Sequence, residues 1–207
     1  MAPAFDLTQL IAIAAALGWA SGLRLYAVVF ITGAAGWLGF VTLPPGLQML
    51  QHPAVVAFSA LLAVIEFAAD KIPVVDSLWD TVHTFIRIPA GAALAAAAVS
   101  GAFGADNTTA GVIAALLGGT LAAGAHTAKA TTRAAANTSP EPFSNIGLSL
   151  LGDVAVPGML WLSWTHPLLF FAALAVALLI GLVLVVVLFR FLRALFARLA
   201  PRRAPVA

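Results

Sequence analysis

Between Pro167 and Phe189 the chain runs for 23 residues without one polar side chain. A helix of that length and character matches a hydrocarbon core and has no counterpart in a water-soluble fold. A second apolar stretch, Leu7 to Phe40, is 34 residues long and is interrupted only by Gly18-Trp-Ala-Ser-Gly-Leu-Arg24. As one straight helix it would run on the order of 50 Å, against a hydrocarbon thickness of about 30 Å. It must tilt steeply, lie partly in the interface or break. Gly18, Ser21 and Gly22 mark the expected break.

The remaining chain repeats this pattern more weakly. Apolar segments at 53–69, 89–103, 110–125 and 146–164 complete a set of six, and loops are expected at 43–46, 104–109 and 126–145. Hydrophobic residues make up 62% of the chain and charged ones 9%. A soluble domain carries roughly 25% charged residues, so this composition cannot supply a water-facing surface. The expected fold is an all-α polytopic membrane protein of about six transmembrane helices. No cysteine is present, which excludes disulfides, thiolate catalysis and Cys-based metal sites. The N-terminus has no basic residue before its apolar run, so a cleaved signal peptide is not expected. The motifs of serine hydrolases, zincins and P-loop enzymes are absent as well, and nothing calls for a cofactor or nucleic acid.

Six spans place both termini on one side with the 70–88 and 126–145 segments. Lys71, Arg87, Lys129, Arg133, Arg190, Arg193, Arg198, Arg202 and Arg203 then share that side, which the positive-inside rule makes cytoplasmic. Arg24 is left over. Residues 1–105 and 106–207 each hold three spans, and each opens with a small-residue run meeting a cation, GWASGLR and GGTLAAGAHTAK. This is compatible with two inverted three-helix repeats containing broken helices. The same Gly/Ala-rich helices can pack within one chain or in a homo-oligomer.

The densest polar stretch is Glu66 to Pro89. Within it, 74–88 reads as an interfacial amphipathic helix, with Val75, Leu78, Val82, Phe85 and Ile86 on one side. Asp76, Asp80, His83 and Arg87 fall on the other at spacings of four, three and four. Asp80-x-x-His83 has metal-ligand spacing; the simpler reading is a solvated helix face.

Other polar residues stand alone among apolar neighbours. A charge at mid-span costs roughly 2.5–3.5 kcal/mol, so Arg24 is either a fixed cation beside a broken helix or a side chain snorkelling to the surface. Glu66 and Asp70 share a face at the end of the second span, as proton-titrating groups or as partners for Lys71 or Arg24. Asp153 lies about seven residues into the fifth span. Pro157, four residues on, leaves its carbonyl without a helical partner, an arrangement that discontinuous transporter helices use for cations or protons. His126, Lys129 and Arg133 recur at helical spacing, as a cationic cup for phosphate or carboxylate or as headgroup anchors. The terminal FRFLRALFARL is a basic amphipathic tail suited to anionic headgroups.

Ala20-Ser-Gly-Leu-Arg24 and Glu66-Phe-Ala-Ala-Asp-Lys-Ile-Pro-Val-Val-Asp-Ser-Leu-Trp-Asp80 resemble the domain-of-unknown-function family 4126, small bacterial integral membrane proteins. The resemblance extends to about residue 190. It implies the membrane fold and carries no activity. The functional expectation is a non-enzymatic transporter or channel-like protein of the inner membrane for a small anionic solute or lipid headgroup. In it, Arg24, Ser21, His126, Lys129 and Arg133 bind the anion; Glu66, Asp70 and Asp153 couple protons or cations; Asp76, Asp80, His83 and Arg87 form a cytoplasmic rim. A scaffold whose polar segment docks a partner is the alternative, and a metal-dependent lipid enzyme stands third.

Overall fold

The computed structural model describes residues 5–72, 74–100, 108–138 and 143–199, with the side chains of 196, 198 and 199 excepted. Residues 104–107 of the turn expected at 104–109, the Ser139-Pro-Glu-Pro142 segment, and Arg202 and Arg203 lie outside the described residues, and residues 108–109 belong to a helix. Every described element is a helix: α1 Leu7–Trp37, a 3-10 helix Pro45–Gln51, α2 Pro53–Ala69, α3 Val75–Val99, α4 Thr108–Ala136, α5 Phe143–Thr165 and α6 Pro167–Leu199. Sequence fixes several starts. Asp6 caps α1 by accepting the Gln9 amide at 2.6 Å, and prolines open α2 and α6 where their missing N–H costs nothing. Five of these helices are long and apolar enough to cross a membrane, and the 3-10 helix with α2, bent by 72°, makes a sixth candidate. This is the architecture of an all-α polytopic membrane protein.

The first helix is broken at Arg24, whose φ of −147° and ψ of 83° are far from helical. Its first arm, 7–23, lies with Gly18 and Gly22 on Gly118 and Ala122 of α4, and Gln9 reaches the Trp164 carbonyl at the end of α5. The second arm, 25–37, does not continue that way. Gly33 lies against Leu50 and Val56, while Gly46, at the start of the 3-10 helix, lies against Ala97 of α3. Ala97 is two residues from Ala95, which faces Gly118. A straight α1 would carry Gly33 fifteen residues, about 22 Å, beyond Gly18 in the opposite direction. Hence α1 is a hairpin with Arg24 at its apex, and both its arms have their outer ends at one end of the bundle.

The expectation of two termini on one side assumes six complete crossings, with α1 as one of them; residues 1–4 and 200–207 themselves lie outside the described residues. The described chain begins beside the α5–α6 junction, and α6 ends at the opposite end. The break also falls two residues beyond Gly22. Gly18 and Gly22 serve a different purpose: a methyl on either would collide with the α4 backbone. Gly91 of α3 packs on the same spot, so α1, α3 and α4 cross where their backbones nearly touch. Ile13, Leu17, Val156, Leu160 and Phe170 fill the buried apolar interior around this crossing.

Two further expectations are corrected. The segment 74–88 is not a separate interfacial helix. It is the first half of α3, which continues through Pro89, and its polar face is the buried one. Asp76, Asp80, His83 and Arg87 are buried, whereas Leu78, Val82 and Phe85 are exposed. In a bilayer the apolar face can look outward to lipid, so the polarity of an amphipathic helix is reversed when charged partners wait inside. Likewise, α5 is not broken, and runs from Phe143 to Thr165 with Pro157 inside it. Neighbouring helices let a span tolerate the one hydrogen bond that a proline removes.

A buried ion-pair network beside an apolar cleft

The hairpin apex meets four other helices. Arg24 Nη1 lies 3.2 Å from Asp70 at the end of α2, and Nη2 lies 2.8 Å from Asp153 of α5. Nη2 also donates to the hydroxyl and the carbonyl of Ser149, at 2.8 and 3.2 Å. Lys71 Nζ holds the other oxygen of Asp153 at 3.0 Å and lies over the Phe67 ring. Lys129 of α4 bridges Asp70 and Asp80, at 2.9 and 3.0 Å. Arg87 of α3 is fully buried, with Nη1 2.5 Å from Asp80 and Nη2 2.8 Å from Glu66. Arg133 donates to the backbone carbonyls of Asp70 and Asn145 at 2.8 and 3.0 Å, and lies 3.5 Å from Asp76.

Five carboxylates thus face five cations, and the network is formally neutral. Neutrality is what permits it. An isolated buried charge costs several kcal/mol, and removing one partner of a buried pair costs about 3–5 kcal/mol. The network also repairs the break in α1. The Leu23 carbonyl accepts from Lys129 Nζ at 3.1 Å, and the Tyr26 amide donates to Glu66 at 3.2 Å. Both are backbone groups at the break, and each finds a charged side chain from another helix. Further out, the Tyr26 hydroxyl meets His83 Nε2 at 3.1 Å, and the His83 ring stacks on Trp79 at 4.1 Å.

One side of this network opens onto a cleft of ≈ 780 Å³ between α1, α4, α5 and α6. Arg24, Asp70, Lys129, Arg133 and Ser149 line its polar end. Its walls are apolar, from Leu148 and Leu151 on α5 to Leu182 and Val185 on α6. The volume is within the range of small-ligand sites. Arg24 Nε is buried without a hydrogen-bond partner, and a side chain at Gly152, which also lines the cleft, would begin 3.4 Å from it.

The structure therefore gathers most of the residues that the sequence singled out. Arg24, Lys129 and Arg133 line the cleft with Asp70. His126 is buried away from it, with Nε2 2.6 Å from Thr84 Oγ1 and Nδ1 3.4 Å from Arg87. Ser21 donates to the Leu17 carbonyl of its own helix at 2.6 Å and does not reach the cleft. Glu66, Asp76 and Asp80 belong to the network, and His83 lies at its edge. Asp80 and His83 face different partners, and no group of three or more metal-ligating side chains occurs among the described residues. Sequence reasoning gave Lys71 only as a possible partner and passed over Tyr26, Asn145 and Ser149. A signal existed for the last two. Asn145, Ser149 and Asp153 recur every four residues, a polar stripe on α5.

A family model described as Domain of unknown function (DUF4126) matches residues 11–188. The chain belongs to that family. Neither the curated proteins nor the solved structures gave a match. The DUF4126 segment contains all ten charged residues of the network and every residue lining the cleft. The family description assigns no activity, so the function rests on the site itself.

Proposed function

We propose that this protein is a small membrane transporter for a solute or headgroup bearing an anionic group. The observation carrying this reading is the break in α1, which sets Arg24 and its unpartnered Nε at the polar end of the cleft. Broken helices supply backbone and fixed charge to binding sites within a bilayer. The neutral network then suggests how coupling works. An anion entering it adds a sixth negative charge, so one carboxylate must take up a proton or a cation. Asp153 is suited to this role: its side chain keeps 18% of its surface exposed, and it bridges Arg24 and Lys71, itself 23% exposed. Arg24 on α1, Lys71 beyond α2 and Ser149 on α5 are the polar groups around it. Neutralising Asp153 leaves both cations free for the incoming anion.

The end carrying the network and the described basic residues of α6 is the cytoplasmic one in this proposal, by the positive-inside rule. Reversal of α1 then puts the other end of the chain on the far side. The scaffold reading loses its surface, because Asp76, Asp80 and Arg87 are buried and paired.

Purified protein in vesicles with a trapped pH dye tests the proposal, using inorganic phosphate, succinate and dodecyl phosphate as probes. Wild type is expected to take up protons with at least one of these anions. Asp153→Asn is expected to move the anion without the proton, and Arg24→Ala to move neither. Wild-type anion and proton flux in both variants overturns the reading.

A further inference from the structure

The cleft is elongated and graded. Along α4 its lining runs from Thr120 to Arg133, fourteen residues or about 20 Å of helix. Arg24, Lys129 and Arg133 lie toward one end, while Thr120 and Ala123 lie toward the other. Small residues open the space between: Gly124 and Ala128 on α4, Gly152 and Ala155 on α5, Ala177 and Gly181 on α6. A side chain at Gly124 would meet nothing within 4 Å. The rim is apolar and exposed at Leu151, Ile180 and Leu182, on a surface of the same character. A hydrated solute gains nothing from such walls. An aliphatic chain is at home there, and one arriving from the bilayer leaves surroundings as apolar as the cleft, so it enters without a desolvation cost.

We infer that the cleft binds an amphiphile, an anionic headgroup on an aliphatic chain, which enters sideways from the bilayer past Leu151, Ile180 and Leu182. The headgroup, a carboxylate or a phosphate, lies at the polar end of the cleft against Arg24, Lys129 and Arg133. The chain lies along the small residues of α4, α5 and α6. This deepens the anion-transporter reading and rests on it for the ligand's charge. It adds that the chain is required for recognition and that the route runs through lipid rather than through an aqueous vestibule.

Trp19 lines the cleft and gives a direct readout. In vesicles of zwitterionic phosphatidylcholine, a chain-brominated fatty acid and a chain-brominated alkyl phosphate are titrated against tryptophan fluorescence. The expected result is saturable quenching by at least one of them, absent in Trp19→Phe and not reproduced by the brominated alcohol of equal length. The arm that saturates identifies the headgroup as carboxylate or phosphate. Gly124→Phe fills the cleft and is expected to weaken binding about tenfold or more, the equivalent of 1.4 kcal/mol. Gly158→Phe, at an open position outside the cleft, is expected to leave binding unchanged. Should Gly124→Phe fail to fold, Ala177→Phe fills the same space from α6.

Unchanged quenching in the filled variants overturns the inference, as does equal quenching by the alcohol. So does inorganic phosphate or succinate flux that survives Gly124→Phe, although the transporter reading then stands. If no anion crosses the vesicle membrane while quenching still saturates, the transport reading falls and the binding site remains.

Discussion

Three helices of this bundle carry the features expected to break a membrane span, and only one of them breaks. α5 and α3 continue through Pro157 and Pro89, while α1 contains no proline and reverses at Arg24. The difference is in what waits for the freed backbone groups. At Arg24, Lys129 takes the Leu23 carbonyl and Glu66 takes the Tyr26 amide. Hydrocarbon offers such groups no solvent, so a helix breaks where charged side chains from its neighbours replace its own ladder. A proline removes one donor. It supplies nothing in exchange for the rest.

The contrast can be broken most severely at Arg87, which holds Glu66 in place. Arg87→Leu leaves Glu66 and Asp80 with buried charge, and a loss of about 3–5 kcal/mol is expected. Thermal unfolding in detergent measures it, and a loss under 1 kcal/mol would show that the pair is dispensable. Adding Glu66→Leu is expected to recover part of the loss but not all, since the Tyr26 amide stays unpartnered. Next in size is Lys129→Met, which orphans the Leu23 carbonyl and takes one cation from Asp70 and Asp80; each keeps an arginine, so a loss at the lower end of the same range, about 3 kcal/mol, is expected by the same measurement. The smallest effect is expected from Pro157→Ala. Because α5 is already continuous there, stability should change by less than about 1 kcal/mol, against roughly 3 for a proline disrupting a helix interior. A large gain would mean that Pro157 strains α5 after all.

How much could be read from the chain follows the same division. Apolar length alone located α2 and the first part of α6, and the polar residues that matter stood out because they were few. Hydropathy could not say which way α3 faces. That depends on Glu66, Lys129 and Arg133 converging on its polar side from two other helices. For the same reason the fourth apolar span stops near Ala125 in the sequence, although α4 carries His126 and Arg133 onward as buried residues and Lys129 as a partly buried one. Glycine was legible as a signal and ambiguous in meaning. Gly18 and Gly22 suggested a flexible break, yet they are where α1 is pressed hardest against α4. Arg24 was the one cation that six crossings left unexplained, and a hairpin carries it to the end where Lys71, Arg87, Lys129 and Arg133 lie.

That hairpin also bears on the order in which the protein can be assembled. Arg24 is made early, and its carboxylate partners are Asp70 and Asp153, 46 and 129 residues later in the chain. Until both have emerged, its guanidinium faces roughly 2.5–3.5 kcal/mol against residing in the bilayer. α1 therefore cannot take its final place until α5 has arrived, and the centre of the finished bundle is filled by an element that settles after those made later.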